Sequence, residues 1–284
     1  MDMVEANGVV LGVDDRGSGS PVILLHGFPE LAYSWRHVAP ALVDAGFRSI
    51  AFDQRGYGAS SKPEHVDDYR LEALVGDVIG LMDALSIDEA TLVGHDWGSI
   101  VAYTAAITHP DRCSRVVSLN VPYRGACWGF PPIDFIRENL ADRFGYILMF
   151  QEDGAAEAGF AADPRRWLGA FYIGGAGGAT VHTSEESAVY VEAFSRGGIR
   201  GPVNWYRNID ANAATFGHLQ NAPLTQPTLV LAADGDPVLP LSLMEGLGRW
   251  APDLDFRVIA NSGHWTQQEQ PEAVNAALVE WLTT

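Results

Sequence analysis

The chain has 284 residues, 47% of them hydrophobic, enough to bury a large core as one domain or as a domain with an insertion. Its 18 basic and 36 acidic residues give a net charge of -18, which disfavours nucleic-acid and anionic-membrane partners. Cys113 and Cys127, the two cysteines, sit in no metal-ligand spacing and are expected to be reduced and buried.

Strand-like and helix-like stretches alternate along the chain, the pattern of a parallel sheet covered on both faces. Residues 9–13 predict a strand running into a turn over 14–20. Residues 21–27 are a continuous apolar run of strand length, as in a strand buried on both sides. A helix is expected over 35–45, closed by Gly46, then a buried strand over 47–52 that ends at Asp53. Leu71, Leu74, Val75, Val78, Leu81, Met82 and Leu85 recur at helical spacing and predict a helix over 71–85. Residues 90–94 read as a strand, 99–107 as a helix and 115–119 as the next strand.

The alternation stops over 121–222, where helical patches at 134–144 and 184–195 are separated by Gly-rich stretches at 174–178 and 197–201. It resumes with a strand over 228–232, a helix over 241–248, a strand over 256–259 and a closing helix over 271–282. The simplest organisation is an α/β core of residues 1–120 and 223–284 with a mostly helical insertion, 121–222. No apolar run reaches the length of a membrane span, and the first residues lack the basic start and apolar stretch of a secretory leader, so a cytoplasmic protein is expected.

Glycines flank Asp96 in Gly94-His95-Asp96-Trp97-Gly98, between a predicted strand and a predicted helix. In a G-x-S-x-G nucleophile elbow the central residue is a serine; here it is an aspartate. A serine attacks carbonyls, whereas a carboxylate displaces a leaving group from an sp³ carbon and leaves an alkyl–enzyme ester. Turns rich in Asp and Gly also arise for purely conformational reasons, so the pattern needs partners. Two other strand ends supply them. Asp234-Gly235-Asp236 follows the strand at 228–232, and Gly263-His264-Trp265 follows the strand at 256–259.

Nucleophile, acid, histidine is the chain order of this elbow chemistry. His264 would strip a proton from water while a carboxylate fixes its other ring nitrogen; spacing leaves Asp234 and Asp236 both open for that part. Backbone N–H groups of Phe28, in His26-Gly27-Phe28-Pro29, and of Trp97 are candidates for an oxyanion hole. His26 is assigned a structural role inside its loop, and His37, His65, His109, His182 and His218 are expected at the surface. The chain has no metal-binding spacing and no phosphate loop, so no metal or cofactor is expected.

These segments together resemble the epoxide hydrolases of the α/β-hydrolase fold, over nearly the whole chain. The resemblance is carried by His26-Gly27-Phe28-Pro29, Asp53-Gln54-Arg55-Gly56-Tyr57-Gly58-Ala59-Ser60-Ser61, the Asp96 elbow and Gly263-His264-Trp265-Thr266-Gln267. Within the insertion, the segments 144–152 and 200–208 are similar to the cap segments that hold the family's paired tyrosines. The resemblance implies an α/β-hydrolase fold, with a mostly parallel eight-stranded sheet flanked by helices and an inserted helical cap. It implies Asp96 as nucleophile, His264 as base, Asp236 rather than Asp234 as the acid, and Tyr146 and Tyr206 as the phenols that polarise the epoxide oxygen. Ring opening releases an alkoxide, a far stronger base than phenolate, so a tyrosine of pKa about 10 is an adequate donor.

The substrate implied is a small apolar epoxide, its pocket lined by Phe28, Trp97, Trp205 and Trp265, with a homodimer left open. A haloalkane dehalogenase shares the Asp elbow, but often has a halide-holding Asn where Phe28 stands and has no need of paired tyrosines. A non-catalytic ligand-binding member of the fold has no use for the Asp96, Asp236 and His264 set. A serine esterase lacks its serine at position 96. Nothing corresponds to the extra N-terminal phosphatase domain of mammalian members, so a hydrolase unit alone, of bacterial or plant type, is expected.

Overall fold

A computed structural model describes residues 1–123, 131–172, 181–219 and 221–284. The Gly-rich stretch at 174–178 and Cys127 lie outside these; Cys113 is free and buried. Eight strands form one sheet: β1 (Asp2–Ala6), β2 (Val9–Arg16), β3 (Pro21–Leu25), β4 (Arg48–Asp53), β5 (Ala90–His95), β6 (Cys113–Leu119), β7 (Thr228–Ala233) and β8 (Leu254–Ile259). Their spatial order is β1-β2-β4-β3-β5-β6-β7-β8. β1 pairs with β2, and β2 with β4, antiparallel; every other neighbouring pair is parallel.

Strand β1 has no counterpart among the sequence expectations. It forms because Asn7 and Gly8 take positive φ, 48° and 75°, as the favoured two-residue hairpin turn requires. β2 also runs further than expected. Asp14, Asp15 and Arg16 have the composition of a turn, yet they continue the ladder to β4 as far as Arg16 opposite Ser49. Pairing overrides local preference there.

Helices α1 (Val38–Asp44), α2 (Leu71–Ala84), α3 (Trp97–Thr108), α11 (Thr266–Glu269) and α12 (Pro271–Thr283) belong to the α/β alternation. Ile23 and Leu25 of β3 share a core with α2 and α3, whereas Val22 and Leu24 share one with α1 and α12. That alternation explains the unbroken apolar run: each face of the strand meets its own helical layer. α1 begins at Val38, after a 3-10 turn over Ala32–Trp35, so the expected helix is shorter and Pro40 falls in its first turn. The helix expected over 241–248 is instead two 3-10 turns, Leu241–Met244 and Leu247–Arg249, interrupted at Gly246 with φ 78°.

Between β6 and β7 the described residues form α4 (Ile133–Asn139), α5 (Ala141–Phe150), α6 (Ala155–Ala162), α7 (Pro164–Tyr172), α8 (Ser184–Gly197), α9 (Arg200–Arg207) and α10 (Ile209–Phe216). The patch at 134–144 divides at Leu140 into α4 and α5, and the Gly-rich stretch at 197–201 is mostly absorbed into α8 and α9. Thr183 and Glu186 cap α8 reciprocally.

Buried and half-buried polar contacts tie this helical segment to the sheet layers. The Trp205 indole N–H donates to Arg55 O at 3.1 Å, the Leu71 N–H donates to Asn212 Oδ1 at 3.0 Å, and Arg36 pairs with Glu186 at 2.6 Å. No helix among the described residues is long and apolar enough to cross a membrane.

Candidate active site

β5 ends at His95 and α3 begins at Trp97, so Asp96 alone makes the turn, with φ 51° and ψ −123°. A side-chain-bearing residue resists that conformation, and close packing on both sides holds it there. A Cβ on Gly98 would lie 2.0 Å from Leu25 O, and one on Gly94 would lie 2.4 Å from Gly98 C. Only glycine lets the helix start sit this near the strands. The Asp96 carboxylate accepts the Phe28 N–H at 2.9 Å and the Trp97 N–H. Burial raises its pKa, against the opposing pull of His264, His95 and these two N–H groups.

The loop after β7 brings Asp236 to His264, which follows β8. His264 Nδ1 donates to Asp236 Oδ2 at 2.9 Å, and Asp236 Oδ1 accepts the Val238 and Leu239 N–H groups at 2.7 and 2.9 Å. Asp234, the alternative left open by spacing, instead accepts Asn261 and Ser262 N–H at 3.0 and 3.1 Å and so staples the His264 loop. His264 Nε2 stands 3.9 Å from Asp96 Oδ2. Burial lowers the His264 pKa, but Asp236, Asp96 and Glu30 outweigh it and lift the imidazole to about 9. Burial pushes Asp236 up, yet its contacts with His264 and the loop N–H groups hold it below the ordinary carboxylate value.

Tyr146 on α5 and Tyr206 on α9 meet edge to face, ring centres 5.8 Å apart, with a hydrogen bond from one side chain to the other. Burial raises both phenol pKa values, and the nearby Asp96 charge adds to it, so both hydroxyls keep their protons. Of the four residues expected to line a pocket, Phe28 and Trp97 lie 5.0 and 5.2 Å from the Tyr206 ring. Trp205 packs on Trp97 and Tyr57, and Trp265 packs on His264 and Tyr172. Phe150 and Phe171 also pack around Phe28 and Tyr146, and sequence reasoning missed them. Their signal was there: Tyr146 and Phe150 are four apart on one helix, as are Trp167 and Phe171.

A second pair beneath the site was not anticipated. Glu30 and His95 are fully buried, with His95 Nδ1 2.6 Å from Glu30 Oε2 and Nε2 2.7 Å from His264 O. Both ring nitrogens face oxygen atoms, so the ring is held at both ends. Glu30 also accepts Gly27 N–H and the side-chain amides of Gln267 and Gln268, each at 2.9 Å. Burial pushes its carboxyl up, but His95 and the Gly27 N–H win and hold it down at about 2.

Gln268 Oε1 in turn accepts from Arg36 at 2.7 Å, His182 at 2.9 Å and Tyr190 at 3.2 Å. His182, expected at the surface, is therefore buried, stacked on Tyr190 with ring centres 4.7 Å apart. His37, His65, His109 and His218 are exposed, as expected. His26 bonds within its loop through Nδ1, which donates to Gly27 O at 2.9 Å, and also reaches the loop after β4, where its Nε2 accepts the Gln54 N–H at 3.1 Å. The Phe28–Pro29 peptide is cis. Among the described residues no group of three His, Cys, Asp or Glu side chains is arranged to hold a metal ion.

The family described as alpha/beta hydrolase fold matches residues 20–271. Epoxide hydrolase A of Mycobacterium tuberculosis is 39% identical, covering 99% of this chain and 96% of that protein. The bifunctional epoxide hydrolase 2 of Sus scrofa is 36% identical over 98% of this chain, which spans 54% of that longer protein. Among solved structures, epoxide hydrolase A of Mycobacterium thermoresistibile has a TM-score of 0.90 at 39% identity, covering 99% of this chain and 97% of that one. An epoxide hydrolase from an endophytic Streptomyces has a TM-score of 0.92 at 35% identity, covering 99% and 94%. With the Asp96 elbow, the His264–Asp236 pair and the facing phenols in one place, and likeness of this extent on both sequence and structure, the chain belongs to the epoxide hydrolases of the α/β-hydrolase fold.

Proposed function

We propose that this protein opens small apolar epoxides to vicinal diols in two steps, without a metal or cofactor. In the first, Tyr146 and Tyr206 hydrogen-bond the epoxide oxygen while the Asp96 carboxylate attacks a ring carbon. The ring C–O bond breaks, its electron pair leaves as alkoxide, and a phenol protonates it, giving a hydroxyalkyl ester of Asp96 and a phenolate. In the second, His264 takes a proton from water as the oxygen attacks the ester carbonyl. The Phe28 and Trp97 N–H groups hold the tetrahedral oxyanion, and its collapse expels the diol oxygen, which receives the proton from His264. The carboxylic acid released on Asp96 ionises and returns a proton to the phenolate.

The electrostatics support this order. Before reaction Asp96 and His264 are carboxylate and imidazolium, 3.9 Å apart, and the Asp96 charge helps hold His264 up at about 9. Esterification removes that charge, so the imidazole pKa falls and its extra proton passes to solvent water, leaving the neutral base the second step needs; His264 takes a proton back from solvent once Asp96 is a carboxylate again. Residues 121–222 serve as the cap, since they supply both tyrosines. A free, buried Cys113 fits a reducing, cytoplasmic setting.

The observation that carries the reading is the convergence on one carboxylate of two backbone N–H donors and a histidine, with the phenol pair alongside. A single turnover of a styrene-type epoxide in ¹⁸O-water tests it. Label should appear in the peptide containing Asp96 and not in the first diol formed. Label entering that first diol directly would mean water attacks the ring and no ester forms.

A further inference from the structure

Among the described residues no strand pairs with the outer edge of β8. Thr228 N–H donates to Asp253 O and Asp234 N–H to Ile259 O, so the odd-numbered residues of this stretch turn their backbone groups toward β7. Alternation leaves the N–H and C=O groups of Leu254, Phe256 and Val258 facing away from the sheet. The last two residues are 41% and 47% exposed, among the few large apolar ones left at the surface in the described residues. The 3-10 turns between β7 and β8 pack on Leu254 through Met244 and Leu247. On the other face of the strand, Arg257 pairs with Asp255 at 2.8 Å and with Glu280 of α12 at 3.2 Å.

We propose that β8 pairs with β8 of a second copy, antiparallel about a two-fold axis at Phe256, joining two sheets into one. In that register Phe256 lies opposite its own counterpart, Leu254 opposite Val258, and Asp255 opposite Arg257, each in both directions. The outward backbone groups gain partners, the apolar side chains form one strip, and opposite charges meet across the junction.

Charge also argues against the alternatives. The other outer edge, β1, carries Asp2 and Glu5 and no basic residue, so two copies of it repel. Pairing β8 with β1 would be head-to-tail and would not close. A chain carrying -18 opposes any association at long range, so the dimer needs enough salt to screen that repulsion while the short-range contacts survive.

Sedimentation equilibrium of the full chain at low and physiological salt tests this. The expected result is a dimer that tightens as salt is raised. Val258→Lys, at a position exposed enough for folding not to be at stake, should give a monomer with unchanged turnover and the melting curve of the wild-type chain diluted until it too is monomeric. In a Cys127→Ser background, mild oxidation should cross-link Phe256→Cys into dimers but not Val258→Cys, whose two copies stand roughly 13 Å apart in this register. The proposal fails if the protein is monomeric under all conditions, if open-ended assemblies form, if Val258→Lys stays dimeric, or if Val258→Cys cross-links as readily as Phe256→Cys.

Discussion

In the proposed mechanism His264 is two things in sequence, a cation beside Asp96 in the free enzyme and a neutral base beside its ester. A histidine near 9 throughout would be a poor base at neutral pH, so the loss of the Asp96 charge is part of the proposed mechanism. Ester hydrolysis, followed alone in single-turnover experiments, should therefore rise with pH through an apparent pKa below about 9. An apparent pKa at or above that value would remove the charge-coupled switch. His264→Gln should leave ring opening largely intact and stall hydrolysis, so that an adduct of substrate mass builds up on the Asp96 peptide in mass spectra. If substrate binds and no adduct forms, the two-step reading is wrong. In the proposed mechanism the tyrosines act earlier. Each Tyr→Phe change at positions 146 and 206 should slow ring opening by roughly ten- to a hundredfold, and the double change should nearly stop it with the fold intact. Near-normal turnover in the double variant would sink the assignment.

Among the elements, the strand–turn–helix at Asp96 is local and stiff, while the attachment of the helical segment is long-range and polar. Gln268, on α11, accepts from Arg36, His182 and Tyr190 and donates to Glu30, so it links α8 to the support beneath the elbow. Because every one of those partners is wholly or mostly buried, removing the amide leaves several polar groups unpaired at once. Gln268→Leu should destabilise the protein by about 2–4 kcal/mol, measured by denaturant titration. A change below half a kcal/mol would mean the cluster is replaceable by water. By contrast, the Arg36–Glu186 ion pair reaches the surface and should matter little by itself in such a titration.

For the molecule as a whole, a charge of -18 spread over the surface means self-repulsion, and raising salt from near zero to physiological strength should raise the melting temperature. A melting temperature that falls with salt would show that attractive surface pairs outweigh the net charge. The titration of the buried pairs gives the pH limits. Glu30 is held at about 2 against an ordinary 4.5, so its stabilisation is present above pH 4.5 and is lost as pH falls toward 2. His264 is raised to about 9 from 6.5, so its contribution is full below pH 6.5 and is lost as pH rises through 9.

Much of this architecture is carried by local chemistry and is legible along the chain. Buried strands read as apolar runs, the elbow reads from two glycines that nothing larger can replace, and the order Asp96, Asp236, His264 follows from strand ends. Even there spacing by itself left Asp234 and Asp236 open, and only the family resemblance preferred Asp236, because two carboxylates in one loop differ only in which way the turn points them. β1 was invisible for the opposite reason: an edge strand with exposed side chains has no apolar pattern, and its existence depends on pairing with β2. Glu30, His95, His182 and Gln268 were illegible as a group. A charged or polar residue reads as surface unless its partners are known, and here those partners lie up to 238 positions away, gathered only when the sheet closes over them.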